Sequence, residues 1–160
     1  MQRQLTRTKT ANVHLVALDA TKPLPFAQPF DRILLDAPCS GTGTLARNPE
    51  IRWRLEPSDI ADAHRIQLAM LTNALAHLAI GGRLVYSTCS LEPEENEHVV
   101  REALAGTAGV RIVSGAVALA PRLRAGVSAA ELFDAYGFFR TFPPTSQTDG
   151  FFAAVLVRPS

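Results

Sequence analysis

Polar and apolar positions divide this chain into short apolar runs and one long helical period. Val13-His-Leu-Val-Ala-Leu18, Ile33-Leu34-Leu35 and Leu84-Val85-Tyr86 are apolar runs closed by Asp, Pro, Gly or Ser, and each predicts a strand. The second and third are continuous rather than alternating, as in parallel strands buried on both faces. Between them, Ile60, Ala63, Gln67, Met70, Leu71, Ala74 and Leu78 share one side of a helix. It should run from Pro57 to about Ala79, with Ser58 or Asp59 as its cap and Gly81-Gly82 as its stop. Strand, helix, strand is a right-handed crossover, and it leaves both strands pointing the same way. As neighbours about 5 Å apart, they would bring Asp36, Cys39 and Cys89 together at the carboxyl edge. Open α/β sheets bind ligands at that edge.

The flanks complete an α/β pattern. Residues 1–12 carry Arg3, Arg7 and Lys9 with no acid, and read as the tail of a helix or a frayed terminus, with a phosphate-binding arm as the lesser alternative. Asp19 closes the first run. Alone it reads as a turn residue before a ligand, although a strand-end carboxylate can bind a ribose or an adenine amine. Arg47, Arg52, Trp53 and Arg54 interleave charge with an aromatic, which suits single-stranded RNA and fits a solvated loop almost as well. Pro93-Glu-Glu-Asn-Glu opens a further helix with its acids in the dipole-favoured first turn. A strand at 110–113, a helix at 129–136 and a terminal antiparallel hairpin of 138–142 with 151–157 follow. His64 and His77 read as half-exposed helix positions without a partner.

Length and charge narrow the classes. The 160 residues make one domain, and a net charge of +1, from 16 Lys+Arg against 15 Asp+Glu, leaves nucleic-acid affinity to local patches. Two cysteines, no apolar leader and no membrane-length run indicate a soluble, cytoplasmic protein with free thiols. No Cys/His cluster supports a metal. Each cysteine follows a strand at the start of a helix, where backbone N–H groups favour thiolate. Three readings stay open on the residues alone: an inert buried pair, covalent catalysis, and a redox pair, the last without C-x-x-C spacing.

Asp36-Ala-Pro-Cys-Ser-Gly-Thr-Gly, Arg47-Asn-Pro-Glu, Gly81-Gly-Arg-Leu-Val-Tyr-Ser-Thr-Cys-Ser, Glu92-Pro-Glu-Glu-Asn-Glu and Asp149-Gly-Phe-Phe-Ala, in that order, closely resemble the Sun/Nop family of RNA (cytosine-5) methyltransferases. The bacterial RsmB type, which modifies small-subunit ribosomal RNA, is the nearest in pattern. The resemblance covers roughly residues 13–104 and 138–157. It implies a Rossmann-like methyltransferase fold, mostly parallel with a C-terminal antiparallel hairpin, and S-adenosylmethionine as methyl donor. It implies Cys89 as the nucleophile that adds to cytosine C6, and Cys39 as the cysteine linked to product release. Asp36 would hold the N3/N4 edge of the base or lie against the cofactor, and Asp19 would contact the cofactor. The base must be single-stranded or flipped out to be reached.

The resemblance also has a gap. Family members carry, before the equivalent of Val13, a first strand with an Ala-Pro-Gly-Gly-Lys-type loop and a ribose-binding acid. This sequence has neither, so it reads as the carboxy-terminal part of a catalytic domain, with one sheet edge unpaired and open to self-association. Weak or absent cofactor binding is expected. The alternatives are a non-enzymatic RNA-binding remnant and, disfavoured by Ala-Pro-Cys in place of Pro-Pro and an aromatic, an amino-group methyltransferase.

Overall fold

The computed structural model describes residues 2–124, 132–146 and 148–160. Its elements are α1 (Gln2–Thr8), β1 (Phe30–Asp36), α2 (Ile51–Arg54), α3 (Pro57–Ala76), β2 (Leu78–Thr88), α4 (Glu97–Ala105), β3 (Arg111–Val113), α5 (Gly115–Leu119), β4 (Phe139–Thr141), α6 (Pro143–Ser146) and β5 (Phe151–Val157). The sheet has five strands in the order β1-β2-β5-β3, with β4 also on β5. β1 and β2 are parallel, and β5 runs antiparallel to β2, β3 and β4. The expected crossover and hairpin are therefore present. Within the sheet, β5 lies between β2 and the short strands β3 and β4.

One face of the sheet carries the core. Leu84 and Tyr86 of β2 and Phe152, Ala154 and Leu156 of β5 pack with Leu71 and Leu75 of α3 and Val99 and Val100 of α4, all fully buried. Alternate residues of a strand share a face, which is why this set falls at every second position.

Several expectations need correction. Val13–Leu18 is not a strand; its side chains are exposed, and Val16 stands 57% open. A strand exists only where a neighbour takes its backbone groups, and the outer edge of β1 has no partner among the described residues. The 33–35 run is not buried on both faces either: Leu34, beside Val85 on the face opposite the core, is 73% exposed.

Helix α3 ends at Ala76, and its cap is Glu56, which forms a reciprocal capping box with Asp59. Gly81-Gly82 fall inside β2 rather than stopping the helix. Phe30 pairs with Leu78 but Arg32 with Arg83, so the glycines occupy a bulge. Gly81 has φ of 76°, and a Cβ on Gly82 would lie 2.7 Å from the Ala79 carbonyl. The helix expected at 129–136 lies partly outside the described residues, and 132–136 form turns and a bridge from Phe133 to Phe139.

Candidate active site

The carboxyl ends of β1 and β2 leave the sheet side by side, with Asp36 paired to Ser87. The Ala37 N–H donates to the Ser87 carbonyl at 2.9 Å, so the two chains stay in step past the last strand residue. Three residues past the end of β1 and one past the end of β2, Cys39 Sγ lies 3.2 Å from Cys89 Sγ. Both thiols are free and half-buried. Asp36 is exposed at the rim, and its Oδ1 accepts from Ser87 Oγ at 3.2 Å. The two thiols thus meet past the strand ends, as the crossover predicts, and Asp36 stands on the same edge with Ser87 as its side-chain partner.

The helix starts expected to favour thiolate are absent. A single turn, Thr42–Thr44, follows Cys39, and another, Pro93–Glu95, follows Cys89. Burial, then the hydrogen bond to Cys89, pushes the Cys39 thiol up to about 12. Cys39 is therefore a protonated thiol across the neutral range, a donor rather than an anion.

A polar network beneath the thiols was not legible in the sequence. The Glu95 carboxylate is fully buried and accepts from the Ser40 N–H at 2.8 Å, Ser90 Oγ at 2.8 Å and Gln67 Nε2 at 2.9 Å, with a further short bond from Ser40 Oγ. Gln67 also donates to the Pro38 carbonyl at 2.8 Å. Glu95 reads in the sequence as one of several first-turn acids; the usable signal was Gln67, the polar residue on the apolar side of α3. Above the network, the Gly43 N–H donates to the Cys89 carbonyl and the Gly150 N–H to the Gly43 carbonyl. A Cβ on Gly43 would stand 2.2 Å from the Gly150 oxygen, so only glycine allows this stacking.

Beside Cys39 open two shallow cavities that share Ser40 and Asp59. One, of about 250 Å³, is lined by Pro38, Cys39, Asp62, Ala63 and Ile66. The other, of about 300 Å³, is lined by Ile51, Arg54 and Leu55. Arg52, Trp53 and Arg54 lie on α2 rather than in a loop, and Trp53 is 83% exposed. Arg47 is exposed and pairs with Asp149 at 3.1 Å, which ties the basic stretch to the Asp149-Gly150 turn. His64 has partners after all: its ring nitrogens face the Glu94 carbonyl at 2.6 Å and the Glu102 carboxylate at 3.0 Å.

Asp19 does not join the site. Its Oδ1 accepts from Thr21 N and Oγ1, and the hydroxyl bond, then the backbone one, holds its carboxyl below the usual range. Asn73 binds the Ala20 and Lys22 carbonyls, whereas Gln67 reaches Pro38. At 1.5 Å per residue, Asn73 stands about 9 Å further along α3. Asp19 therefore stands apart from the thiols along α3, and of the two acids expected to hold a cofactor it is Asp36 that lies at the strand ends. Among the described residues, no three metal-type side chains gather, and no helix is long and apolar enough to cross a membrane.

Comparison with known proteins follows the same geometry. The family model described as 16S rRNA methyltransferase RsmB/F matches residues 1–157. Ribosomal RNA small subunit methyltransferase B of Klebsiella pneumoniae (strain 342) is 36% identical over 129 residues, which is 81% of this chain and 26% of that protein. Its namesake from Thermus thermophilus is 44% identical over 109 residues, covering 65% of this chain and 27% of the relative. This chain thus spans about a quarter of the length of these curated relatives. The crystal structure of NSun6 from Pyrococcus horikoshii with SFG superposes with a TM-score of 0.79 at 30% identity, over 100% of this chain and 38% of that one. A methyltransferase homologue from Pyrococcus horikoshii gives 0.73 at 33% identity, over 99% and 48%.

Proposed function

The chain belongs to the 16S rRNA methyltransferase RsmB/F family, and from that premise we propose that it carries the base-handling half of a site that methylates cytosine C5 in small-subunit ribosomal RNA. The observation that supports this most directly is the pair of thiols 3.2 Å apart beside a strand-end carboxylate. Cytosine C5 is a poor nucleophile until a thiol adds next to it. Cys89 loses its proton to solvent and its sulfur bonds to C6, so the C5–C6 electron pair moves into the ring. Asp36, exposed at the rim, holds the N3/N4 edge, where the charge develops. When bound, S-adenosylmethionine, of which SFG is an analogue, would supply the sulfonium-bound methyl group that C5 accepts. Loss of the C5 proton then returns an electron pair that expels Cys89. Cys39, held as a thiol by burial, donates to the departing sulfur and so favours release.

Arg47, Arg52 and Arg54 meet the phosphates, and Trp53 offers a stacking face for a neighbouring base. Without an Ala-Pro-Gly-Gly-Lys-type loop to hold the methionine end, this chain alone is expected to bind S-adenosylmethionine weakly or not at all. Single-stranded RNA containing 5-azacytidine tests the base-handling half without the methyl donor, since attack at C6 leaves a stable adduct. Intact-mass analysis should show an RNA-linked chain that Cys89→Ala abolishes and Cys39→Ala preserves. An adduct surviving in Cys89→Ala would refute the assignment.

A further inference from the structure

Beyond the residues that touch the base, we propose that Glu95 is a positioning residue that holds the two cysteine turns at one separation. The inference rests on the reading of Cys89 and Cys39 above, but its geometry is independent of it. Glu95 Oε1 accepts from the Ser40 and Ser90 hydroxyls, and Oε2 from the Ser40 N–H and Gln67 Nε2. Ser40 directly follows Cys39 and Ser90 directly follows Cys89. One carboxylate therefore grips the residue next to each sulfur, and Gln67 ties the same group to the Pro38 carbonyl on the other side of Cys39.

The support continues behind Glu95. Its own carbonyl accepts from the buried Tyr86 hydroxyl at 2.6 Å, and the adjoining Asn96 side chain binds Thr88 Oγ1 and the Ser90 carbonyl. The segment carrying the carboxylate is thus anchored on β2 through Tyr86 and Thr88 as well as on the Ser90 turn. A helix-capping acid would sit at the surface facing backbone N–H groups; this one is fully buried, and three of its four donors are side chains. Glu95→Gln keeps the shape but removes the charge and one acceptor: an NH₂ group at the Oε2 position would face the Ser40 N–H, and one at the Oε1 position would force the two serine hydroxyls to turn from donors to acceptors. The turns then part while the core below is untouched.

The readout is the thiol pair itself. Phenylarsine oxide condenses with two thiols, forming two As–S bonds and releasing water, only when the sulfurs are close together. In this 160-residue chain it should bind once, bridging Cys39 and Cys89, and resist monothiols until ethanedithiol strips it. For Glu95→Gln, the ethanedithiol concentration that strips half the arsenical should fall by about tenfold or more, as loss of a charge-assisted bond implies. The cooperative thermal transition should persist, with measurements made well below it. Ser40→Ala and Ser90→Ala, each losing one hydroxyl donor, should shift the same competition by less and keep the proposal testable if Glu95→Gln does not fold. Unchanged competition in folded Glu95→Gln or in both serine variants overturns it. Failure of the azacytidine adduct in the unmodified chain would instead sink the catalytic reading and leave this result standing.

Discussion

β1 and β2 are parallel neighbours written in similar apolar letters, yet they live in different surroundings. Leu84 and Tyr86 of β2 are fully buried, while Leu34 of β1 is 73% exposed and Ile33 and Leu35 are only half-covered. Two things make the difference: Leu34 lies beside Val85 on the face opposite the core while Leu84 lies beside Ile33 on the core face, and β1 has β2 alone as a strand neighbour among the described residues whereas β2 also pairs with β5. An apolar run specifies that a strand can form; how much it contributes depends on what covers it. Each strand nonetheless delivers a cysteine to the same point, because the site needs only their shared carboxyl ends.

The sharpest way to break this comparison is to truncate both strands equally. Leu84→Ala should cost about 2–5 kcal/mol, the usual range for emptying a close-packed core site. Leu34→Ala should cost less than about 0.5 kcal/mol, as at an ordinary exposed position. Urea denaturation of the two variants reads the gap. Equal losses would show that the outer face of β1 is covered in solution.

A smaller effect separates the site from the core beneath it. Gly43→Ala places a methyl group 2.2 Å from the Gly150 oxygen and 2.8 Å from the Cys89 oxygen, both backbone atoms. Relieving that contact should cost roughly 1–3 kcal/mol, as overpacking does. It should also loosen the Asp149-Gly150 turn, seen as faster amide exchange at Gly150, whose N–H binds Gly43. Protection at Gly150 equal to that of the unsubstituted chain would show that the turn does not depend on this approach.

The same contrast explains what could be read in advance. The meeting of Cys39 and Cys89 was legible because it needs only two strands, their direction and their ends, and Pro38-Cys-Ser and Thr88-Cys-Ser mark those ends. The failure at Val13–Leu18 has the opposite cause: its letters suit a strand, but letters do not supply the hydrogen-bonding neighbour. Glu95 was hidden for a third reason. Three glutamates in Glu92-Pro-Glu-Glu look alike in sequence, and only the fold shows that the last turns inward while Glu94 stays exposed. Gln67 carried the complementary hint, since a polar residue on a buried helix face must find a partner.

The mildest test uses pH, and it distinguishes the thiol on the β1 side from the phenol on β2. Cys39 ionises at 9.0 in the unfolded reference and is pushed up to about 12 in the fold, by burial first and the Cys89 hydrogen bond second. Tyr86 is raised above its 10.0 reference, first by burial, then by Glu95 and Cys39. A raised pKa means that the fold holds the proton more tightly than the unfolded chain does. The stability this gives is complete below about pH 9 and is lost as pH climbs from there towards 12. Cys39→Ser removes the earlier component and leaves that of Tyr86, so the onset of alkaline destabilisation should move from near pH 9 to near pH 10. Urea midpoints measured between those limits would show it as a flatter profile in the variant. An identical slope in both chains would mean that the Cys39 thiol is solvated in solution, and that it meets Cys89 without the burial that makes it a donor.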